Sequence, residues 1–175
     1  MASRGIIFSG PMVRAILSGD KTMTRRLKFK CNVGDELWVK ESWYTYKWWN
    51  DTKPSEIPGD GNVKIYYSSI DSDLCPTELM GKLRSSMFMP RRLCRIKLVC
   101  TESSAERLRN ISWSDSKREG ATENHMGNWS MDWNSGKMTA GSPIVAFQAY
   151  INQILKRDIW KENPVVKVIG FQVVK

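Results

Sequence analysis

The chain has 175 residues, a length suited to one domain around one core, since domains commonly run to roughly 100–200 residues. Its 27 Lys and Arg against 18 Asp and Glu give a formal charge of +9, which favours a polyanionic partner through counterion release. One His, four Cys without a Cys-x-x-Cys pair and no apolar run near the roughly 20 residues of a membrane span argue against a metal centre and a membrane anchor. The expectation is a soluble, cytoplasmic protein without metal or cofactor.

In chain order, Met12, Ala15 and Ile16 recur at helical spacing and Gly19 is a good helix stop. A packed helix therefore ends just before Gly19-Asp20-Lys21-Thr22-Met23-Thr24-Arg25-Arg26, which anchors an amine, two hydroxyls and two guanidinium groups at one point. After the turn signal Gly34-Asp35, the runs Glu36 to Tyr46 and Val63 to Ser69 predict two antiparallel strands. Between them Asn50 to Asn62 reads as a long irregular loop expected to be mobile.

On the first of these strands Leu37, Val39, Glu41 and Trp43 share one face. Burying an unpaired carboxylate costs several kcal/mol, so Glu41 should pair with a cation such as Lys21 or Arg25, or line a pocket where Trp43 could stack a base. Met89-Pro90 then aims Arg91 and Arg92 rigidly, at phosphate or at solvent. Leu93 to Thr101 alternates with Cys94, Ile96, Leu98 and Cys100 inward, a half-buried strand.

Ser103 or Ser104 can cap a short helix through Leu108, and Ser114 another through Glu119. Ser142-Pro143 opens a stronger helix with Ile144, Phe147, Ile151, Ile154 and Leu155 on one face. The Asn- and Gly-rich stretch Ala121 to Gly141 between them holds His125, read as a solvated residue, and Trp129 and Trp133, which form a stacking flap or pack as core. Val165 to Val174 predicts a strand covered on both faces.

Hydrolysis without His or metal needs another base, and a lysine desolvated beside cations has its pKa lowered. Lys21, close to Arg25 and Arg26, is such a lysine; its neutral amine could take the proton of Thr24 and make that hydroxyl a nucleophile. Along an extended chain the two would face opposite sides, so convergence requires a turn. Arg25 and Arg26 would bind phosphate or a carbonyl oxygen. The alternative is that Lys21 and Thr24 are surface residues of a turn.

The helix followed by Gly-x-Lys-Thr-x-Thr-x-Arg, ending at Arg26, is joined in order by Gly34 to Glu41 with Trp43, Phe88-Met89-Pro90-Arg91, Arg118-Glu119-Gly120, and Trp160 with Asn163-Pro164. Together these motifs resemble the ASCH domain family, related to the PUA RNA-binding fold, in the longer form associated with phages and prophages. The resemblance implies an α+β fold over residues 1–175: a PUA-like, mostly antiparallel β-barrel with flanking α-helices and insertions near 47–62 and 121–141. The family's amidohydrolase branch removes acyl groups from the exocyclic nitrogen of cytidine, and resemblance to it makes Glu119 the third catalytic member beside Lys21 and Thr24. The insertions depart from that branch, so its substrate does not transfer directly. The expected function is hydrolysis of an acylated base such as N4-acetylcytidine. Ribonuclease activity and non-catalytic binding or sequestering are the alternatives, with RNA, a modified nucleoside or DNA as partner.

Overall fold

The computed structural model describes residues 1–70, 76–131 and 139–174. Its elements are β1 (Ser3–Ile7), α1 (Gly10–Ser18), β2 (Met23–Arg26), β3 (Glu36–Lys40), β4 (Trp43–Tyr44), β5 (Tyr66–Tyr67), β6 (Lys97–Arg107), α2 (Trp113–Arg118), β7 (Thr122–Glu123), β8 (Trp129–Ser130), α3 (Pro143–Leu155), α4 (Ile159–Glu162) and β9 (Val165–Val173). Helix and strand are mixed, as an α+β chain requires. The chain forms two compact units, residues 1–14, 36–98 and 173–175 in the first, and 15–35 and 99–172 in the second. Among the described residues, no helix is long and apolar enough to cross a membrane.

In the first unit β1 lies parallel to β3, from Ser3 opposite Glu36 to Ile7 opposite Lys40. Antiparallel pairing returns in β4 and β5, with Trp43 opposite Tyr67 and Tyr44 opposite Tyr66. The alternation read from sequence is present: Leu37, Val39, Glu41 and Trp43 are all buried. The predicted single strand is broken after Lys40, where the Glu41 N–H donates to Met89 Sδ at 3.4 Å. Trp43 packs with Ile57, Val63, Met89 and Leu93. The Asn50–Asn62 loop is thus tied to the core through Ile57, and Arg92 holds it by donating to the carbonyls of Pro54, Ser55 and Ile57.

In the second unit β9 lies between β2 and β6. β2 runs antiparallel to β9, from Met23 opposite Gly170 to Arg26 opposite Lys167. Val166, Val168, Ile169 and Phe171 are buried, so β9 is covered on both faces as its continuous apolar run predicts. The short helix expected from Ser103 to Leu108 is absent because β6 continues to Arg107. Pairing with β9 gives that backbone partners that a single isolated helical turn could not supply. Gly170 permits the close approach, since a Cβ there would meet Glu102 Cβ at 2.9 Å.

α2 starts earlier than predicted: Ser112, not Ser114, is its cap, accepting from the Asp115 N–H at 3.0 Å. α3 begins as read, with the Ser142 hydroxyl accepting from Val145 N–H at 3.3 Å and Pro143 in its first turn. Phe147 packs against Leu108, Ile111, Ile159 and Val166. Ile154 departs from the predicted stripe and is exposed. Trp129 is buried with Ala121 and Ala146, so it serves as core rather than a stacking flap, while Trp133 lies outside the described residues. His125 is exposed, as expected of a loop residue. Among the described residues, neither unit by itself contains strands that close into a barrel.

Leu98 is fully buried, so Leu98→Asp should abolish cooperative melting followed by circular dichroism. Ser142→Ala should cost about 1 kcal/mol in urea denaturation by removing the α3 cap.

Candidate active site

The site begins where α1 stops. Gly19 takes the left-handed conformation (φ +88°), and the Lys21 N–H then donates to the Ala15 carbonyl at 2.8 Å. Lys21 bridges to Glu119, the C-cap of α2, and Thr22 N–H donates to the Arg118 carbonyl at 2.8 Å. Backbone pairing thereby sets the lysine against the glutamate, 98 residues away in sequence. Gly120, at φ +104°, turns the chain onward.

Lys21 Nζ donates to Met23 O at 2.8 Å, Glu119 O at 2.7 Å and Glu119 Oε2 at 2.8 Å, which engages all three protons of an ammonium. Lys21 is 1% exposed and Glu119 3%. Arg25 joins them: Nη1 donates to Glu119 Oε1 at 3.4 Å, Nε and Nη2 to Glu106 Oε1 at 3.0 and 2.7 Å, and Nη2 to Asp115 Oδ2 at 2.8 Å. Two buried cations thus face three carboxylates delivered by β6, α2 and the α2 C-cap.

Burial pulls the Lys21 amine below the ordinary lysine value, partly offset by the Glu119 carboxylate and reinforced by Arg26 and Arg25. For Arg25 burial acts downward, but Glu119, Glu106 and Asp115 outweigh it and hold the guanidinium above its usual value. Arg26 is lowered by burial, with Glu119 and Tyr150 acting upward.

From the sequence-based set the structure brings together Lys21, Arg25 and Glu119 by hydrogen bonds, with Arg26 near enough to act on Lys21 and to be acted on by Glu119. Thr24 is buried opposite Ile169 on β2, which begins at Met23, two residues after Lys21. Strand alternation sets Thr24 on the face opposite Arg25 and on the same face as Arg26. Arg26 sits on the same strand opposite Lys167.

Glu41 finds its cation within the first unit. Arg95 Nε donates to Oε1 at 2.9 Å and Nη2 to Oε2 at 3.0 Å, and Ser69 Oγ donates to Oε2 at 2.6 Å. The partner is therefore Arg95, not Lys21 or Arg25. Trp43 is fully buried with the Arg84 guanidinium 5.3 Å from its ring, which leaves no face for a base. Arg91 pairs with Glu36 at 2.6 Å, and Arg92 is engaged with loop carbonyls at 2.6–3.3 Å.

Sequence reasoning missed Glu106, Asp115 and Arg95. Asp115 stands four residues before Glu119, a spacing that puts both on one helix face. Glu106 was hidden because its segment reads as helix. A cavity of about 350 Å³ in the second unit is lined by Asp20 and Thr122, sequence neighbours of the pair, with Glu123, Asn124, Asn128 and Ser130. Those side chains offer carboxylates, amides and hydroxyls. Among the described residues, no three His, Cys, Asp or Glu side chains gather to hold a metal.

Neither a family model nor a curated protein matches the chain. A solved structure does: the crystal structure of a domain from Lactobacillus crispatus, 11% identical, with a TM-score of 0.45, over 98% of this chain and 79% of that one. That Lactobacillus crispatus protein is an ASCH domain. That is the family whose motifs this sequence resembles, and the chemistry of the site rests on the residues and distances above.

Lys21→Met would leave Glu119 buried without its ammonium and should cost about 3–5 kcal/mol in urea denaturation, with Lys21→Met/Glu119→Leu recovering much of the loss. The lowered Lys21 value also has a pH signature. Between it and the ordinary lysine value the unfolded chain holds a proton that the folded chain lacks, so this group makes stability rise with pH. That rise should be absent in Lys21→Met.

Proposed function

We propose that this chain is a PUA-like ASCH protein that binds a nucleoside or nucleic acid and hydrolyses the acyl amide of a modified base such as N4-acetylcytidine. The observation that carries the reading is the buried Lys21 amine, held below its ordinary pKa and 2.8 Å from the Glu119 carboxylate. A proton passing from Lys21 to Glu119 gives a neutral amine and a carboxylic acid. The amine then takes a proton from the attacking oxygen, of water or of Thr24, as that oxygen bonds to the acyl carbon. The C–N bond breaks, and Glu119 returns its proton to the leaving exocyclic nitrogen. With water the products are a carboxylic acid and the free base, and Lys21 and Glu119 end as they began; with Thr24 an acyl ester forms first and water releases it.

The cavity lined by Asp20 and Thr122 supports a nucleoside over a phosphodiester chain, because Asp20 and Glu123 repel phosphate while the Asn amides and Ser and Thr hydroxyls match base edges and sugar hydroxyls. A second reading, binding without turnover, is favoured by one feature: every proton of the Lys21 ammonium is already engaged and both side chains are sealed from solvent. In that reading the pair pins β2 to α2.

Mass-spectrometric nucleoside analysis separates the readings. Wild type should convert N4-acetylcytidine to cytidine, at a rate that falls as pH rises through a midpoint below the ordinary lysine value, because the pair then loses the proton that Glu119 must return to the leaving nitrogen. Glu119→Gln that still melts cooperatively should lose at least about 100-fold in turnover, and Thr24→Val should do so only if its hydroxyl attacks. If folded wild type leaves acylated nucleosides and labelled RNA unchanged, the binding reading replaces this one.

A further inference from the structure

The first unit ends an ordered aromatic array at its surface. Tyr44 and Tyr66 are buried and stacked, with centroids 5.7 Å apart and planes at 12°. Tyr46 meets Tyr66 edge-on at 5.8 Å, and the Tyr66 hydroxyl donates to the Tyr46 hydroxyl at 3.2 Å. Trp48 stacks on Tyr46 at 4.5 Å and 22°, yet is 60% exposed. The indole is therefore oriented from below by a fixed support and presents its other side to solvent.

Lysines stand on the segments that carry and flank this array. Lys47 precedes Trp48 and is exposed, and its N–H donates to the Leu79 carbonyl at 2.9 Å, which draws the 79–82 segment alongside. Lys82 is exposed there, with its N–H on Asn50 Oδ1 at 2.8 Å. Lys64 lies 5.1 Å from the Tyr66 ring. None of these three lysines makes an ion pair among the described residues, although Asp51 and Glu78 are exposed on the same two segments. An oriented, solvent-facing indole with lysines on its own and the adjoining segment is the combination that captures an unpaired base on its π-face and the adjoining phosphates on ammonium groups.

We propose that Trp48, with Lys47 and Lys82, is a docking ledge for single-stranded nucleic acid, separate in sequence and chemistry from the Lys21–Glu119 pair. Its charge complements a polyanion, in keeping with the chain's +9, and its aromatic face requires a base that is not stacked within a duplex.

The test is fluorescence anisotropy of the full chain with a labelled ten-nucleotide oligouridylate and with a duplex of equal length. Expected results are tighter binding of the single strand, at least about fivefold weaker binding by Trp48→Ala, and retention within about threefold by Trp48→Phe. Lys47→Gln and Lys82→Gln should each reduce the slope of log affinity against log salt by about 0.7. Turnover of a free acylated nucleoside should be unchanged in Trp48→Ala, so failure of the ledge and failure of the hydrolase reading are distinguishable. Wild-type affinity in Trp48→Ala, or equal Trp48 dependence for duplex and single strand, would overturn the proposal. So would an apolar protein partner whose binding depends on Trp48 while the oligonucleotide does not bind.

Discussion

Burying the Lys21 ammonium is the constraint around which the second unit is arranged. A lysine at 1% exposure is tolerable only if its charge and its three protons are met, and the structure meets them with two carbonyls and one carboxylate. That requirement fixes where α1 stops, where α2 ends and how β2 leaves the turn. Arg25 extends the same arrangement, since its guanidinium is shared among Glu106, Asp115 and Glu119. Losing one member would leave another charge buried without compensation, which is why the cluster behaves as a unit.

The Glu41–Arg95 pair in the first unit is built differently. Arginine holds its proton throughout the accessible pH range, and its fork meets both carboxylate oxygens, with Ser69 bonded to both partners and Tyr67 4.1 Å from the guanidinium. Such a pair fixes a strand break and exchanges no proton. A lysine and glutamate at 2.8 Å can exchange one when burial lowers the amine, and this difference separates a fastener from a candidate acid–base pair.

Much of this was legible from residues alone. The apolar face through Leu37, Val39, Glu41 and Trp43, the cap at Ser142, and the doubly covered β9 follow from local periodicity and capping chemistry. The Lys21 cluster was legible as a concentration of cations behind a helix stop. Its carboxylates were not, because Glu106 lies on a strand whose sequence reads as helix and whose conformation is set by pairing with β9. Arg95 reads as a solvent-facing residue of an alternating strand and is exposed, and its long side chain reaches the buried Glu41 with the guanidinium alone, which alternation does not reveal. For Thr24 the sequence asked for a turn between it and Lys21, and the strand β2 begins only at Met23, with Lys21 outside it.

The most direct test of this account is an NMR titration of lysine side chains labelled at Cε, with Lys21 assigned by its absence from Lys21→Arg. The account predicts a Lys21 midpoint below the ordinary lysine range, moving lower still in folded Glu119→Gln, because the carboxylate is what holds the proton on. A Lys21 signal that titrates with the exposed lysines and ignores the loss of Glu119 would contradict it.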